Sequence, residues 1–188
     1  MKISLENNLC ILTVDSFGGA IVDFHLKDDA QINPLSFVFT QEQMPANNKN
    51  GAPYQGHFFC AGRWGLPSEG EIKCGIPNHG EAANIAWTVI KNNDSLIMQT
   101  TAKLEGLHIK RIIELDPKYD VFAVTETFTN INPLGRLYNI VQHPTLAAPF
   151  LNSLTIINCN AAVGFDQLDC LKAERNSFHF PDAADNNG

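Results

Sequence analysis

The segment Leu107-His-Ile-Lys-Arg-Ile-Ile-Glu-Leu115 decides the fold class, because its side chains alternate with a period of two. Leucine, isoleucine and Arg111 occupy the odd positions, whereas histidine, lysine, isoleucine and glutamate occupy the even ones. Successive side chains of an extended strand point to opposite faces, so the pattern predicts a strand with one apolar face.

Short apolar segments on both sides of this strand have the same character. Residues 84–91 and 95–103 flank Asn92-Asn93-Asp94, a combination that is typical of a β-hairpin. Further strands are predicted at 9–14, 20–26, 35–40, 121–130 and 137–142. No convincing amphipathic helix occurs, so the class is all-β and antiparallel, as a sandwich or a large barrel.

A long irregular segment precedes the hairpin. Residues 41–54 are polar and rich in strand breakers, and the chain up to about residue 83 is dense in glycine and proline. Such a segment inside a compact domain is usually functional or disordered, and this one carries aromatic, cysteine and histidine side chains. We therefore predict a functional loop within one domain over residues 1–180, followed by a polar tail over 181–188.

Composition excludes several classes of function. The 188 residues are 44% hydrophobic and 18% charged, which is ordinary for a soluble domain. A net charge of −7 and 13 scattered Lys and Arg residues argue against a nucleic-acid partner. The sequence has no signal core or membrane-spanning apolar run, so no membrane partner is expected. Five cysteines, an odd number, argue against a disulfide framework and favour a cytoplasmic location.

Two histidines lie among turn-forming residues at the ends of strand-like segments. His79 lies in Gly75-Ile-Pro-Asn-His-Gly-Glu81, and His143 lies in Asn139-Ile-Val-Gln-His-Pro-Thr145. Neutral imidazole gives or takes a proton near physiological pH, so the pair indicates proton-transfer chemistry. The alternative is that both are structural, His79 satisfying backbone groups in a loop and His143 lying at a strand edge.

Arg63 and Trp64 lie between glycines, and this setting suits a binding surface. A guanidinium fork beside an aromatic face can hold a polyhydroxy ligand through charge-assisted hydrogen bonds and contacts to C–H groups. The alternative is that Arg63 pairs with Glu69 or Glu71 while Trp64 packs in the core.

A zinc site is the other reading of the same segment. His57-x2-Cys60 followed by Cys74-x4-His79 loosely resembles zinc-ligand spacing. The first pair, however, is a single histidine and cysteine around two phenylalanines, and the intervening chain is not a compact knuckle. We therefore predict no metal and no other cofactor.

Several motifs, taken in order, resemble those of the aldose 1-epimerase (galactose mutarotase)-like family. They are Gly62-Arg63, Asn78-His79-Gly80, Arg111-x-x-x-Leu115, Phe128-Thr129-Asn130 and Asn139 to His143. The similarity extends from about residue 18 to residue 150. It implies a galactose mutarotase-like β-sandwich, or supersandwich, and an isomerase that interconverts the α and β anomers of a hexose or related sugar by acid/base ring opening.

The resemblance also implies roles for individual residues. The catalytic residues are His143, as the acid to the ring oxygen, and His79, which holds the sugar near that oxygen. The substrate-binding residues are Arg63, Asn78, Glu81 and Trp64. The chemistry needs no cofactor, because both demands are proton transfers.

Departures from the family pattern limit what the resemblance implies. Residues 67–71 replace the family's second arginine region, and Glu81 stands where many members have glycine. These differences indicate a divergent subgroup whose substrate need not be galactose.

The family's domain is longer than this chain, and its base is a glutamate on a late strand. We therefore expect a sandwich that is incomplete at the C-terminus, with Glu81 as a candidate substitute base. Exposed strand edges would then favour a homodimer. Two alternative functions remain open, a carbohydrate-binding protein without turnover and an inactive mutarotase fragment.

Overall fold

The computed structural model describes residues 1–48, 50–135, 137–158, 160, 162–165 and 177–179. The chain divides into two compact units, Met1–Ser153 and Leu154–Gly188. Among the described residues of the second unit, β10 (Val163–Phe165) pairs antiparallel with β11 (Ser177–His179). The prediction of one domain over residues 1–180, with a tail at 181–188, extends beyond the described residues and stays a prediction.

The first unit contains a five-stranded antiparallel sheet. Its strands, in the order in which they lie side by side, are β1 (Lys2–Glu6), β2 (Cys10–Asp15), β3 (Ile21–Leu26), β4 (His57–Ala61) and β9 (Ile140–Pro144). Strands β4 and β9 are far apart in sequence but pair along their whole length, from His57 opposite Pro144 to Ala61 opposite Ile140.

The second sheet of this unit is a four-stranded antiparallel meander. It consists of β5 (Thr88–Asn92), β6 (Ser95–Ala102), β7 (Leu107–Leu115) and β8 (Phe122–Asn130), side by side in that order. Strand β7 has the predicted bounds, and its odd-numbered side chains are all buried. The predicted hairpin is confirmed, since β5 and β6 are joined by Asn93 and Asp94.

The two sheets pack face to face around one apolar core. Leu12 and Phe59 from the first sheet belong to the same buried cluster as Met98, Ile109 and Ile113 from the second. The prediction of an all-β antiparallel fold is therefore confirmed, and of its two forms the structure is the sandwich.

The strand predicted over residues 35–40 is wrong. Only Val38 takes part in strand-like pairing there, as an isolated bridge to Gln55. The reason lies in Asn33, whose side-chain oxygen accepts hydrogen bonds from the amides of Leu35 (2.9 Å) and Phe24 (3.2 Å). The bond to Leu35 holds the start of the segment in a turn, and the bond to Phe24 fixes that turn against β3.

The segment read as irregular contains more regular structure than expected. It holds all of β4, a short helix α1 (Glu69–Lys73) and two 3₁₀ helices, Ala46–Asn48 and Ala82–Asn84. Helix α1 begins with a capping box, in which Ser68 and Glu71 bond each other's backbone amides. The predicted strands at 84–91 and 137–142 are displaced toward the C-terminus, to β5 and β9.

Apolar side chains become exposed after β8. Leu134 is 77% exposed and Leu137 is 97% exposed, and β8 and β9 are edge strands of the described sheets. Such edges and side chains are the features that favour a homodimer, which stays a prediction. None of the described helices has the length and apolar character needed to cross a membrane.

Candidate functional site

The pairing of β4 with β9 places His143 on the outer face of the first sheet. Phe59 and Ala61 of β4 belong to the core between the sheets, so the alternating residues Phe58 and Cys60 lie on the opposite face. His143 lies directly across from Phe58, and the two rings stack with centroids 4.4 Å apart and planes 19° apart. The ring of His143 is therefore half-buried against an aromatic surface.

His79 joins this surface from the loop that precedes the second 3₁₀ helix. Its ring stands edge-on to three others, at centroid distances of 4.7 Å from Tyr54, 5.3 Å from Phe58 and 5.8 Å from His143. We call Tyr54, Phe58, His79 and His143 the outer-face cluster. The structure thus brings together the two histidines that the sequence singles out, which are 64 residues apart (143 − 79).

An unusual backbone conformation projects His79 into the cluster. His79 has φ 63°, in the left-handed region that costs a residue with a side chain about 1–2 kcal/mol. Gly80 follows with φ 81°, and a Cβ there would lie 2.3 Å from the carbonyl oxygen of Ala61. The Asn84 amide donates to the carbonyls on both sides of His79, those of Asn78 (2.9 Å) and Gly80 (2.6 Å). These buried contacts hold the strained conformation in place.

Tyr54 fastens the same loop from the other side. Its hydroxyl donates to the carbonyl of Asn78 (3.0 Å) and accepts from the side-chain amide of Asn48 (2.9 Å). Burial raises the pKa of Tyr54, so the hydroxyl keeps its proton and remains a donor. Tyr54 therefore contributes both a ring to the cluster and an anchor for the His79 loop.

The two imidazoles are held by one ring nitrogen each. Nδ1 of His79 lies 3.2 Å from the sulfur of Cys60 and accepts from the amide of Gly65 (3.4 Å), and Nδ1 of His143 lies 3.3 Å from the hydroxyl of Thr145. Neither Nε2 has a hydrogen-bond partner among the described residues. The free nitrogens are available to a ligand.

Burial sets the charge state of His79. It lowers the pKa of His79 to about 4, with a smaller contribution from nearby His143, so His79 is neutral at pH 7. Burial also raises the pKa of the Cys60 thiol to about 12, which keeps that thiol protonated. A neutral His79 can donate or accept a hydrogen bond but is a weak base.

Arg63 and Trp64 adopt the structural arrangement, in which Arg63 pairs with a nearby glutamate and Trp64 packs against apolar residues. The guanidinium of Arg63 forms an ion pair with Glu71 (3.6 Å) and donates to the carbonyl of Leu66. Trp64 packs, partly buried, against the apolar cluster that includes Phe58. Both residues therefore lie near the outer face of the sheet through structural contacts of their own, and their sugar-binding roles stay predictions.

Asn78 and Glu81 lie on either side of the His79–Gly80 turn. Asn78 is buried, and its side-chain oxygen has no hydrogen-bond partner among the residues that the structure describes. The Glu81 carboxylate accepts from the amide of Leu104 (2.7 Å), and the Glu81 amide donates to Glu105 (2.8 Å). Glu81 thus already supports the neighbouring turn, and its role as a base stays a prediction.

A second polar group joins Arg111 of β7 and Glu126 of β8 to the inner face of β4 and β9. Arg111 is 1% exposed, pairs with Glu126 (2.6 Å) and places its guanidinium 4.4 Å from the ring centre of Phe59. Gln142 donates to the other oxygen of Glu126 (2.6 Å) and meets Nε2 of His57 at 3.0 Å. We call Arg111, Glu126, Gln142 and His57 the inner-face chain. Burial lowers the pKa of His57, and the positive charge of Arg111 makes a smaller contribution in the same direction.

The four residues considered as zinc ligands do not lie together. Cys60 meets His79, whereas His57 contacts Gln142 on the other face of the strand and Cys74 is exposed. Over the described residues, no group of three or more His, Cys, Asp or Glu side chains is placed to hold a metal ion.

Sequence reasoning missed the residues that build the cluster around the histidines. Tyr54, Phe58 and Cys60 lie in the segment read as irregular, and Asn84 is the first residue of the strand predicted at 84–91. The available signal is the run His57-Phe-Phe-Cys-Ala61, which is short, apolar and bounded by glycines, as a strand buried on both faces would be.

Comparison with known proteins gives a fold-level likeness at most. No protein-family model matches the chain, and no curated protein matches it significantly. Solved structures similar to it include a galactose mutarotase-like protein from Lactobacillus casei ATCC 334, at 15% identity and TM-score 0.49 over 69% of this chain and 44% of that chain. They also include HI1317, at 13% identity and TM-score 0.37 over 60% of this chain and 40% of that chain. The chain thus spans less than half the length of either neighbour.

Proposed function

We propose that this chain is a mutarotase-like carbohydrate protein that interconverts the α and β anomers of a hexose or related sugar. The observation that carries the proposal is the 5.8 Å separation of the His79 and His143 rings. Two imidazoles from distant parts of the chain pack against the ring of Phe58, and each keeps a ring nitrogen without a partner among the described residues. Tyr54 and Phe58 are buried behind the histidines, so the partly exposed rings of His79 and His143 form the surface that would meet the C–H face and hydroxyls of a pyranose.

The reaction requires one acid and one base. A base removes the proton of the anomeric hydroxyl while an acid protonates the ring oxygen, the ring opens, the C1–C2 bond rotates, and the steps reverse. His143 is the acid to the ring oxygen, and His79 donates a hydrogen bond that holds the sugar near it. A positioned acid or base typically contributes on the order of 100- to 10,000-fold to the rate.

The remaining predicted residues bind the sugar in this proposal. Arg63 reaches the hydroxyls by exchanging its partly exposed ion pair with Glu71 for the ligand, and Trp64 offers its ring. Asn78 brings a buried side-chain oxygen without a partner among the described residues. Glu81 takes the role of base, on condition that its carboxylate leaves the amide of Leu104.

Anomer-exchange NMR tests the proposal directly. Glucose, galactose and their 6-phosphates are screened with the full chain, and the exchange rate is compared with that in buffer. Acceleration for one of the four supports an anomer-exchanging enzyme. No acceleration for any of them, at protein concentrations that saturate binding, contradicts turnover.

Carbohydrate binding without turnover is the second candidate function. It is favoured by the low pKa of His79, which makes that imidazole a weak base, and by the engagement of the Glu81 carboxylate with Leu104. Calorimetric binding of one of the four sugars, without faster anomer exchange, distinguishes this candidate from the enzyme.

A further inference from the structure

The environment of His79 decides which of its ring nitrogens carries the proton. The amide of Gly65 points at Nδ1 from 3.4 Å, and a backbone N–H can only donate. Nδ1 must therefore offer its lone pair, and in a neutral imidazole the proton then resides on Nε2.

Cys60 strengthens the same assignment from a second direction. Its sulfur lies 3.2 Å from Nδ1 of His79, and the residue is fully buried in β4. A thiol that keeps its proton is a weak donor, and the lone pair of Nδ1 is the acceptor within reach. Two donors from separate elements, the strand β4 and the loop at Gly65, thus converge on one nitrogen.

We propose that Cys60 is a positioning residue that, together with the Gly65 amide, holds His79 as its Nε2–H tautomer. His79 then offers the ligand a donor and not an acceptor. The tautomer itself does not depend on the proposed function, but the identity of the ligand does. A ligand that binds Nε2 must offer an oxygen lone pair, such as that of a ring or hydroxyl oxygen. A hydrogen bond to the far nitrogen is the usual way in which proteins choose a histidine tautomer.

Nitrogen-15 NMR of histidine-labelled protein, without any sugar, tests the tautomer. Protonated and unprotonated ring nitrogens differ widely in chemical shift, and the signals of His79 are identified by their loss in His79→Gln. At pH 7 we expect Nε2 to be protonated and Nδ1 to be an acceptor. A spectrum in which His79 carries its proton on Nδ1, or is cationic, overturns the inference.

Variants of Cys60 test its part in the effect. Cys60→Ala removes the thiol donor, so the fraction of the Nδ1–H tautomer should rise by roughly two- to fivefold, as expected for the loss of one weak hydrogen bond. Cys60→Ser keeps a hydrogen-bond donor at this position, so its His79 spectrum should match that of the wild type. Cys10→Ala is the matched control, because Cys10 is equally buried but bonds to Asn7.

The outcomes separate the positioning role from a purely structural one. If Cys60→Ala and Cys10→Ala both leave the spectrum of His79 unchanged, the Gly65 amide acts alone and Cys60 has no positioning role. If Cys60→Ala does not fold, comparison of Cys60→Ser with the wild type still decides, since a tautomer change in the serine variant contradicts rescue by a donor. None of these readouts depends on whether the protein accelerates anomer exchange.

Discussion

The two faces of β4 and β9 meet different polar groups, one built around a buried ion pair and the other around two half-buried imidazoles. In the inner-face chain, the buried guanidinium of Arg111 meets Glu126, whose second oxygen is bonded by Gln142. In the outer-face cluster, His79 and His143 are each held by Nδ1, whereas Nε2 has no partner among the described residues. Arg111 is fully buried and its charge is compensated by Glu126, which suits a structural role. A half-buried imidazole whose Nε2 has no partner among the described residues can instead serve a ligand.

The largest effect is expected from breaking the inner-face chain. Arg111→Met leaves the Glu126 carboxylate beside the core without its cation, which should cost about 3–5 kcal/mol of unfolding free energy. Urea unfolding measures the loss. Lys110→Met is the control, because Lys110 is exposed on the same strand and should change stability by less than about 0.5 kcal/mol.

A second variant separates the charge from the packing. In Arg111→Met/Glu126→Leu no unpaired charge remains, so much of the lost stability should return. If the single variant Arg111→Met is as stable as the wild type, the inner-face chain does not have the structural role assigned to it.

Within the outer-face cluster, a change at His143 should affect activity and not stability. His143→Asn removes the proposed acid, so anomer exchange should fall by about 100-fold or more while the unfolding free energy changes little. His108→Asn is the control, since His108 lies on β7 and contacts Thr101. Wild-type exchange rates in His143→Asn across all four sugars contradict the catalytic role.

The strained turn that carries His79 links the cluster to stability. Gly80→Ala adds a Cβ 2.3 Å from the carbonyl oxygen of Ala61, whereas Gly65→Ala adds one with no atom within 4 Å, although both glycines have positive φ. Gly80→Ala should therefore be less stable than Gly65→Ala by about 1–3 kcal/mol, the usual cost of overpacking. Equal thermal and urea unfolding of the two variants contradicts the close packing of the turn.

The last expected effect is a pH dependence of stability that originates in His79. Its pKa is about 4 when folded and about 6.5 when unfolded, so the unfolded state binds more protons between these values. The contribution of neutral His79 to the free energy of unfolding is therefore fully present above about pH 6.5 and is lost as the pH falls toward 4. Urea unfolding at several pH values should show a shallower slope in His79→Gln, and an unchanged slope contradicts the neutral, buried state of His79.

The sequence predicts the second sheet better than the first. Strand β7 has an uninterrupted period of two, because one face meets the core and the other meets solvent. Strand β4 is apolar on both faces, so it lacks that alternation and is easily read as part of the loop. The strand predicted at 35–40 has suitable residues, but the side chain of Asn33 binds the amide of Leu35 and holds the start of the segment in a turn.

The two histidines are identifiable in the sequence, but their environment is not. His79 and His143 stand out through their turn-rich settings and the family resemblance. Their approach depends on the register in which β9 pairs with β4, and no local pattern encodes that register. The contact between Cys60 of β4 and His79 likewise joins separate parts of the chain. The contacts of Asn84 with the carbonyls on both sides of His79 are local, but the sequence pattern assigns Asn84 to a strand.

One titration tests most directly whether the outer-face cluster is the sugar site. Protein with nitrogen-15-labelled histidines is titrated with glucose, galactose and their 6-phosphates, and the ring signals of His79, His143 and His57 are followed. We expect the Nε2 signals of His79 and His143 to shift together with one of these sugars, while His57 of the inner-face chain stays unchanged. A shift of His57 alone, or no shift of either cluster histidine with any of the four sugars, contradicts the account.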